Sequence, residues 1–301
     1  MGETRKWITA ALITTVFYSG AVGVARAANG EAEGVSAYIV FDGAKMYEKP
    51  GNFSSEYVTA AAGTMITDAS LTRVKTKSKK GGYEDWYKGT EPGGKTIYVM
   101  DSSLAAASLE ADFDGDGEKE IFLYGLDYET YEPGAKSGMI KIIKNGKTTA
   151  FSYFEPLIYY DGKRIPDYNG YSISASVILP GGFSPPVKLI KLKIFSENES
   201  FPFGDVYFLW KNRTISHCFT AAQDYGPVNS LLCGVSFPKD KGGRKNSVII
   251  NETFEYGLDE EPKKGEGSYD RITEYKWDGK NFTKIRGEKK FKKWAAESAD
   301  E

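Results

Sequence analysis

An all-β fold is predicted, with a small barrel of short strands followed by a larger antiparallel β domain of propeller-like or sandwich type. Three observations carry that expectation. Runs of four to nine strand-type residues alternate with Pro/Gly turn clusters along most of the chain. The dipeptides Asn145-Gly146 and Asp278-Gly279 each sit between two such runs, where tight hairpins need positive φ. Aromatics make up 14% of the residues and 33 glycines are present, a bias toward pleated surfaces and turns. The 301 residues leave room for two domains, and a hydrophobic content of 41% is enough to fill their cores. A formal net charge of −2 gives no basic field for nucleic acid, which is therefore not expected as a partner.

Residues 1–27 have the order of a secretory signal peptide. Arg5 and Lys6 precede the uncharged stretch Trp7–Val24, and Ala25-Arg26-Ala27 supplies a small-x-small cleavage pattern before Ala28. An uncleaved N-terminal anchor is the competing reading, which the threonines and small residues of the stretch weaken. The expected location is exported, periplasmic or secreted, with no membrane span after signal cleavage. Residues 28–36 are small and polar, a flexible leader.

Residues 37–104 contain six short strand-type runs separated by Lys49-Pro50-Gly51-Asn52, Ala62-Gly63, Lys80-Gly81-Gly82 and Glu91-Pro92-Gly93-Gly94. The succession Lys49-Pro50, Gly63-Thr64-Met65-Ile66, Asp85-Trp86-Tyr87-Lys88 and Gly94-Lys95-Thr96-Ile97-Tyr98-Val99, closed by Ser103-Leu104, resembles the bacterial SH3-like domain. That resemblance implies a small barrel. The family's Asn-Val-Arg element is replaced here by Ala44-Lys45-Met46-Tyr47, a departure that bears on any inherited peptide or cell-wall binding.

Residues 105–110 form a connector of mostly small residues, and the second domain is placed at 111–287, with about eleven strands. Its first feature is the stretch Ala111–Phe122, ADFDGDGEKEIF. Asp112, Asp114, Asp116, Glu118 and Glu120 fall at every second position, with Gly115 and Gly117 between them. Ca²⁺ takes six to eight oxygens, and a tight loop offering oxygens at alternate positions can wrap them around one point. Leu123 stands where a helix–loop–helix calcium site needs its bidentate Glu, and the loop leads into a strand. The pattern instead resembles the loops of FG-GAP/VCBS-type β repeats. By position, that resemblance implies side-chain oxygens from Asp112, Asp114, Asp116 and Glu120, a carbonyl from Glu118, and a structural role for Ca²⁺. A solvated acidic turn is the bland alternative.

Cys218 and Cys233 form an even pair, and in an oxidising compartment a disulfide closing that loop would contribute about 3 kcal/mol. Two buried free thiols are the alternative. His217 is the single histidine, so zinc sites needing two histidines are excluded. Ser236-Phe237-Pro238-Lys239 has a Ser-x-x-Lys spacing, but Pro238 is incompatible with the helical turn that such a pair needs. Neither a Gly-x-Ser-x-Gly nor a phosphate-cradling glycine loop occurs. The rings Tyr153, Phe154, Tyr159, Tyr160, Tyr168 and Tyr171 offer either a stacking face or core filling. The five Asn-x-Ser/Thr sequons (Asn52, Asn198, Asn212, Asn251 and Asn281) are taken as incidental. Residues 288–301 read as a charged tail, basic and then acidic.

The expected function is non-catalytic binding or scaffolding at the cell envelope. The ligand would be peptidoglycan, a polysaccharide or another envelope protein. One alternative is an envelope hydrolase with a carboxylate pair in the β domain and the barrel as targeting module. Another is a structural assembly subunit.

Overall fold

The computed structural model describes residues 35–77, 83–127, 137–154, 159–160, 163–164, 171–196, 202–225, 230–255 and 267–292. The segments read as signal peptide and leader, up to residue 34, lie outside them, as do Tyr168, Asn198 and the acidic end of the chain.

The described chain is built from antiparallel strands. The first six are β1 (Val35–Tyr38), β2 (Ala44–Tyr47), β3 (Glu56–Ala60), β4 (Met65–Lys77), β5 (Tyr83–Thr90) and β6 (Thr96–Met100). They form one curled sheet in the order β1-β4-β5-β6-β2-β3. The strand β4 makes the curl. Its register shifts twice against β5, and Asp68 sits at φ 53° in the first shift, so the strand bends while serving β1 and β5. Gly89 is required on the inner side of the curl, because a Cβ there would lie 2.4 Å from Ile66 Cγ2. Ile39, Met46, Ile66, Ile97 and Val99 fill the interior.

A second sheet follows at once: β7 (Ala107–Ala111), β8 (Glu120–Asp127), β9 (Ser137–Lys144) and β10 (Lys147–Phe154). The residues read as a connector therefore include most of a strand. Ala107, Ser108 and Leu109 are buried, and all of β7 pairs with β8. Burial and pairing override the weak strand propensity of alanine. Two short strands, β11 (Tyr159–Tyr160) and β12 (Lys163–Arg164), pair with each other. The third large sheet runs β13 (Tyr171–Ile178), β14 (Leu189–Ser196), β15 (Pro202–Lys211) and β16 (Thr214–Ala222). The fourth runs β17 (Asp224–Tyr225), β18 (Ser230–Ser236), β19 (Ser247–Glu255), β20 (Tyr269–Trp277) and β21 (Phe282–Phe291). Residues 288–291, read as part of a tail, thus belong to an edge strand. The Lys289 ammonium lies over the Tyr269 ring, 3.8 Å from its centroid, a cation–π contact.

These sheets stack face to face. Phe122, Tyr124, Ile140 and Ile142 on the β7–β10 sheet meet Ile190, Leu192, Val206 and Phe208 of the β13–β16 sheet. The opposite face of β13–β16, through Leu189, Tyr207, Leu209 and Phe219, meets Val248, Ile250 and Trp277. With both faces covered, Val206–Trp210 is a continuous buried run where a half-exposed strand would alternate. The curled sheet packs on the outer face of β7–β10. Tyr38, Val40 and Ala62 lie against Leu123, Met139 and Ile143. Val40 approaches so closely that a Cβ on Gly125 would stand 2.6 Å from its Cγ2. Lys141 Nζ reaches Asp42 Oδ2 at 3.2 Å, and the Tyr38 hydroxyl donates to Glu110, so the interface is also polar.

Hairpin chemistry is met in two ways. Asn145 and Gly146, at φ 52° and 71°, make the two-residue turn between β9 and β10. Between β20 and β21 the connection is longer, residues 278–281, with Asp278 Oδ1 accepting the Lys280 and Asn281 N–H groups. A third tight turn joins β15 and β16 through Asn212 and Arg213, at φ 53° and 59°, without glycine.

Candidate metal centre

The acidic stretch links β7 to β8, with its ends fixed from below. Phe113 is buried in the core between the first two stacked sheets. Glu120, fully buried, accepts the Phe113 N–H at Oε2 (2.7 Å). Between those anchors the backbone curls through Gly115 (φ 83°) and Gly117 (φ 90°), left-handed positions that favour glycine. Asp112 accepts the Gly115 and Gly117 N–H groups at 2.5 and 3.1 Å, Asp114 that of Asp116 at 3.2 Å, and Asp116 that of Glu118 at 2.9 Å. Each is a local Asx-type bond that shapes the loop.

The geometry brings Asp112, Asp114 and Asp116 together, with one ligand oxygen from each lying within 4.8 Å of the others. Two oxygens bound to one Ca²⁺ at about 2.3–2.6 Å are at most about 5 Å apart, so this donor set fits a hard cation in spread and in chemistry. Glu120 points into the same region. Glu118 turns aside and accepts Asn145 Nδ2 at 3.2 Å.

Lys144, the last residue of β9, extends its ammonium into the cluster. Nζ lies 2.9 Å from Glu120 Oε1, 3.2 Å from Asp114 Oδ2 and 3.9 Å from Glu118 Oε2, and it donates to Asp116 Oδ2. The Lys144 bond holds the Asp116 carboxyl below its ordinary value, and the same contacts push the Lys144 ammonium up. Lys144 thus contacts four of the five carboxylates, all but Asp112, and a second ammonium, Lys188 Nζ, donates to the Asp112 carbonyl oxygen; five carboxylates against these two ammoniums leave the loop anionic. No local signal in the sequence identifies Lys144, which stands 24 residues beyond Glu120 and reaches the loop only because β9 pairs with β8.

The disulfide expectation is corrected, because Cys218 and Cys233 are both free thiols. They sit on β16 and β18, in different sheets, and face the same apolar layer from opposite sides. Cys218 is the extra residue of a bulge, since Tyr207 pairs with Phe219 and Phe208 with His217. Its Sγ lies 3.7 Å from Ser216 O on its own strand. Burial pushes both thiols up to about 12, so neither is a thiolate near neutral pH. Under non-reducing conditions, denatured protein is expected to give two titratable thiols per chain by reaction with a chromogenic disulfide, and native protein to react slowly. A count of zero after denaturation would restore the bridge.

The same bulge reverses which face of β16 is which. Ile215 and His217 lie on the Phe208 side, whereas Phe219 and Ala221 pack in the opposite layer. His217 Nε2 and Thr220 Oγ1, three residues apart, are therefore close enough to hydrogen-bond at 2.9 Å. Among the described residues no histidine or cysteine joins the acidic triad, and no helix is long and apolar enough to cross a membrane. Comparisons of the chain with protein-family models, with curated proteins and with solved structures return no match.

Proposed function

We propose that the chain is an exported, non-catalytic binding or scaffolding protein of the cell envelope, with a glycan as its ligand and Ca²⁺ as a structural clasp. The observation that carries this reading is the use made of the acidic loop. Its carboxylates are committed to their own loop amides and to Lys144, at the start of the sheet on which the curled sheet packs. That placement favours fixing structure over performing chemistry. Arg5, Lys6, the apolar stretch that follows and Ala25-Arg26-Ala27 support export. The family resemblances noted above support an envelope setting by fold-level analogy.

Sedimentation of purified protein with intact peptidoglycan and with envelope polysaccharide tests the binding role, and retention in the pellet is the expected result. Turnover of either polymer would point to the hydrolase instead. For the metal, saturating Ca²⁺ is expected to raise the melting temperature by about 5 °C or more, and chelation to reverse the gain. Asp112, Asp114, Asp116 and Glu120 would hold the ion. Asp114→Ala is expected to abolish the increment. Identical melting of variant and wild type, with and without Ca²⁺, would show that the clasp carries no metal.

A further inference from the structure

Where the apolar layer between the β13–β16 and β17–β21 sheets ends, the sheets leave an open cleft of about 290 Å³. Lys191, Asp205, Tyr207, Gln223, Phe237 and Asp240 are among the residues that line it. Asp205 sits at the polar end. Its Oδ2 accepts from Lys191 Nζ at 2.7 Å and from the Tyr207 hydroxyl at 3.3 Å, while its Oδ1 is buried with no hydrogen-bond partner among the described residues. Burial, and next the Asp205 charge, push the Tyr207 phenol well up, so it stays a donor at any physiological pH. The Lys191 and Asp205 side chains are 23% and 24% exposed, so the ion pair itself is open to the cleft.

We infer that this cleft binds a single pyranose ring of an envelope glycan, the assignment resting on the glycan-binding function proposed above. Lys191 and Asp205 already neutralise one another, so a charged ligand would meet opposite charges at one point. A neutral ligand with adjacent hydroxyls satisfies both, one hydroxyl donating to Asp205 and its neighbour accepting from Lys191. Asp240 is occupied, because its Oδ2 accepts the Phe237 N–H at 2.7 Å. The half-exposed Phe237 ring, 6.0 Å from that of Tyr207 and at 70° to it, gives an apolar wall for the C–H face of a sugar. The volume lies at the lower limit of ligand pockets, which suits one ring.

The test is titration of the purified protein with soluble oligosaccharides of glucose, galactose and N-acetylglucosamine, followed by nuclear magnetic resonance and repeated on Asp205→Asn and Phe237→Ala. One of the three sugars is expected to bind with a Kd on the order of 1 mM and to shift resonances of Tyr207 and Phe237. Asp205→Asn keeps the volume. It places an amide donor where a hydroxyl must donate, so affinity should fall about tenfold or more with the melting temperature near wild type. Phe237→Ala, on the cleft wall, should weaken binding independently. Equal binding by wild type and both variants would overturn the cleft and leave a glycan binder acting through another surface. Retention on whole peptidoglycan or envelope polysaccharide without binding of any soluble sugar would also overturn the cleft alone. Failure to bind either form would remove the cleft and the proposed function together.

Discussion

Replacing Phe208 by Ala is expected to lower the stability of the folded chain by about 3–5 kcal/mol, read as a drop in the urea midpoint without a fall in the slope. Phe208 lies on β15, in the middle layer of the stack, and only 2% of it is exposed. Its ring packs in the cluster that joins the β7–β10 and β13–β16 sheets, and the centre of the His217 ring stands 5.9 Å from its own, with the planes at 65°. The neighbouring strands are fixed on both sides by ladders, so they cannot move inward to fill the gap, and the loss should lie well above that for a residue able to relax. Ile285→Ala is the control. Ile285 is 57% exposed on the edge strand β21, and its loss should cost under about 0.5 kcal/mol. Similar midpoints for the two variants would mean that the stacked layers do not form the cooperative core described here.

Much of the architecture was legible because its signals are local. Alternating runs with intervening turn residues predict strands, and Asn145-Gly146 predicts a two-residue hairpin that the chain makes. The acidic spacing likewise identifies a loop whose glycines take left-handed conformations. What escaped depends on distant partners. Strand β7 is Ala-Ser-Leu-Glu-Ala, a poor strand by propensity, and it is ordered by β8 on one side and a covering core above. The Asn212-Arg213 turn lacks the glycine that marks such turns, and both residues hold positive φ because β15 and β16 are closely paired around it. An even number of cysteines says nothing of which sheets carry them, and here the sheets differ. In the acidic loop, the five carboxylates could be read directly. Their neutralising lysine could not, since its position follows only from the pairing of β9 with β8.

That lysine gives the loop its sharpest test. Glu120→Ala is expected to cost about 3 kcal/mol, because it orphans the buried Phe113 N–H and removes the only fully buried carboxylate that holds Lys144. The loss should appear with and without Ca²⁺, since the loop anchor itself is gone. Lys144→Met should behave differently. Without its ammonium the loop carries uncompensated carboxylates, so the melting temperature in chelator should fall below that of wild type. Among the described residues no other ammonium contacts the Asp114 and Asp116 carboxylates, so a divalent cation would take over that role and would no longer have to compete with Nζ. The Ca²⁺-dependent rise should therefore be larger in Lys144→Met than in wild type. If Lys144→Met instead melts low and Ca²⁺ fails to rescue it, the loop is a turn neutralised by lysine, and the calcium clasp is wrong. The direction of one difference, the Ca²⁺ increment of the variant minus that of wild type, separates a metal site from an internal ion-pair network built from the same residues.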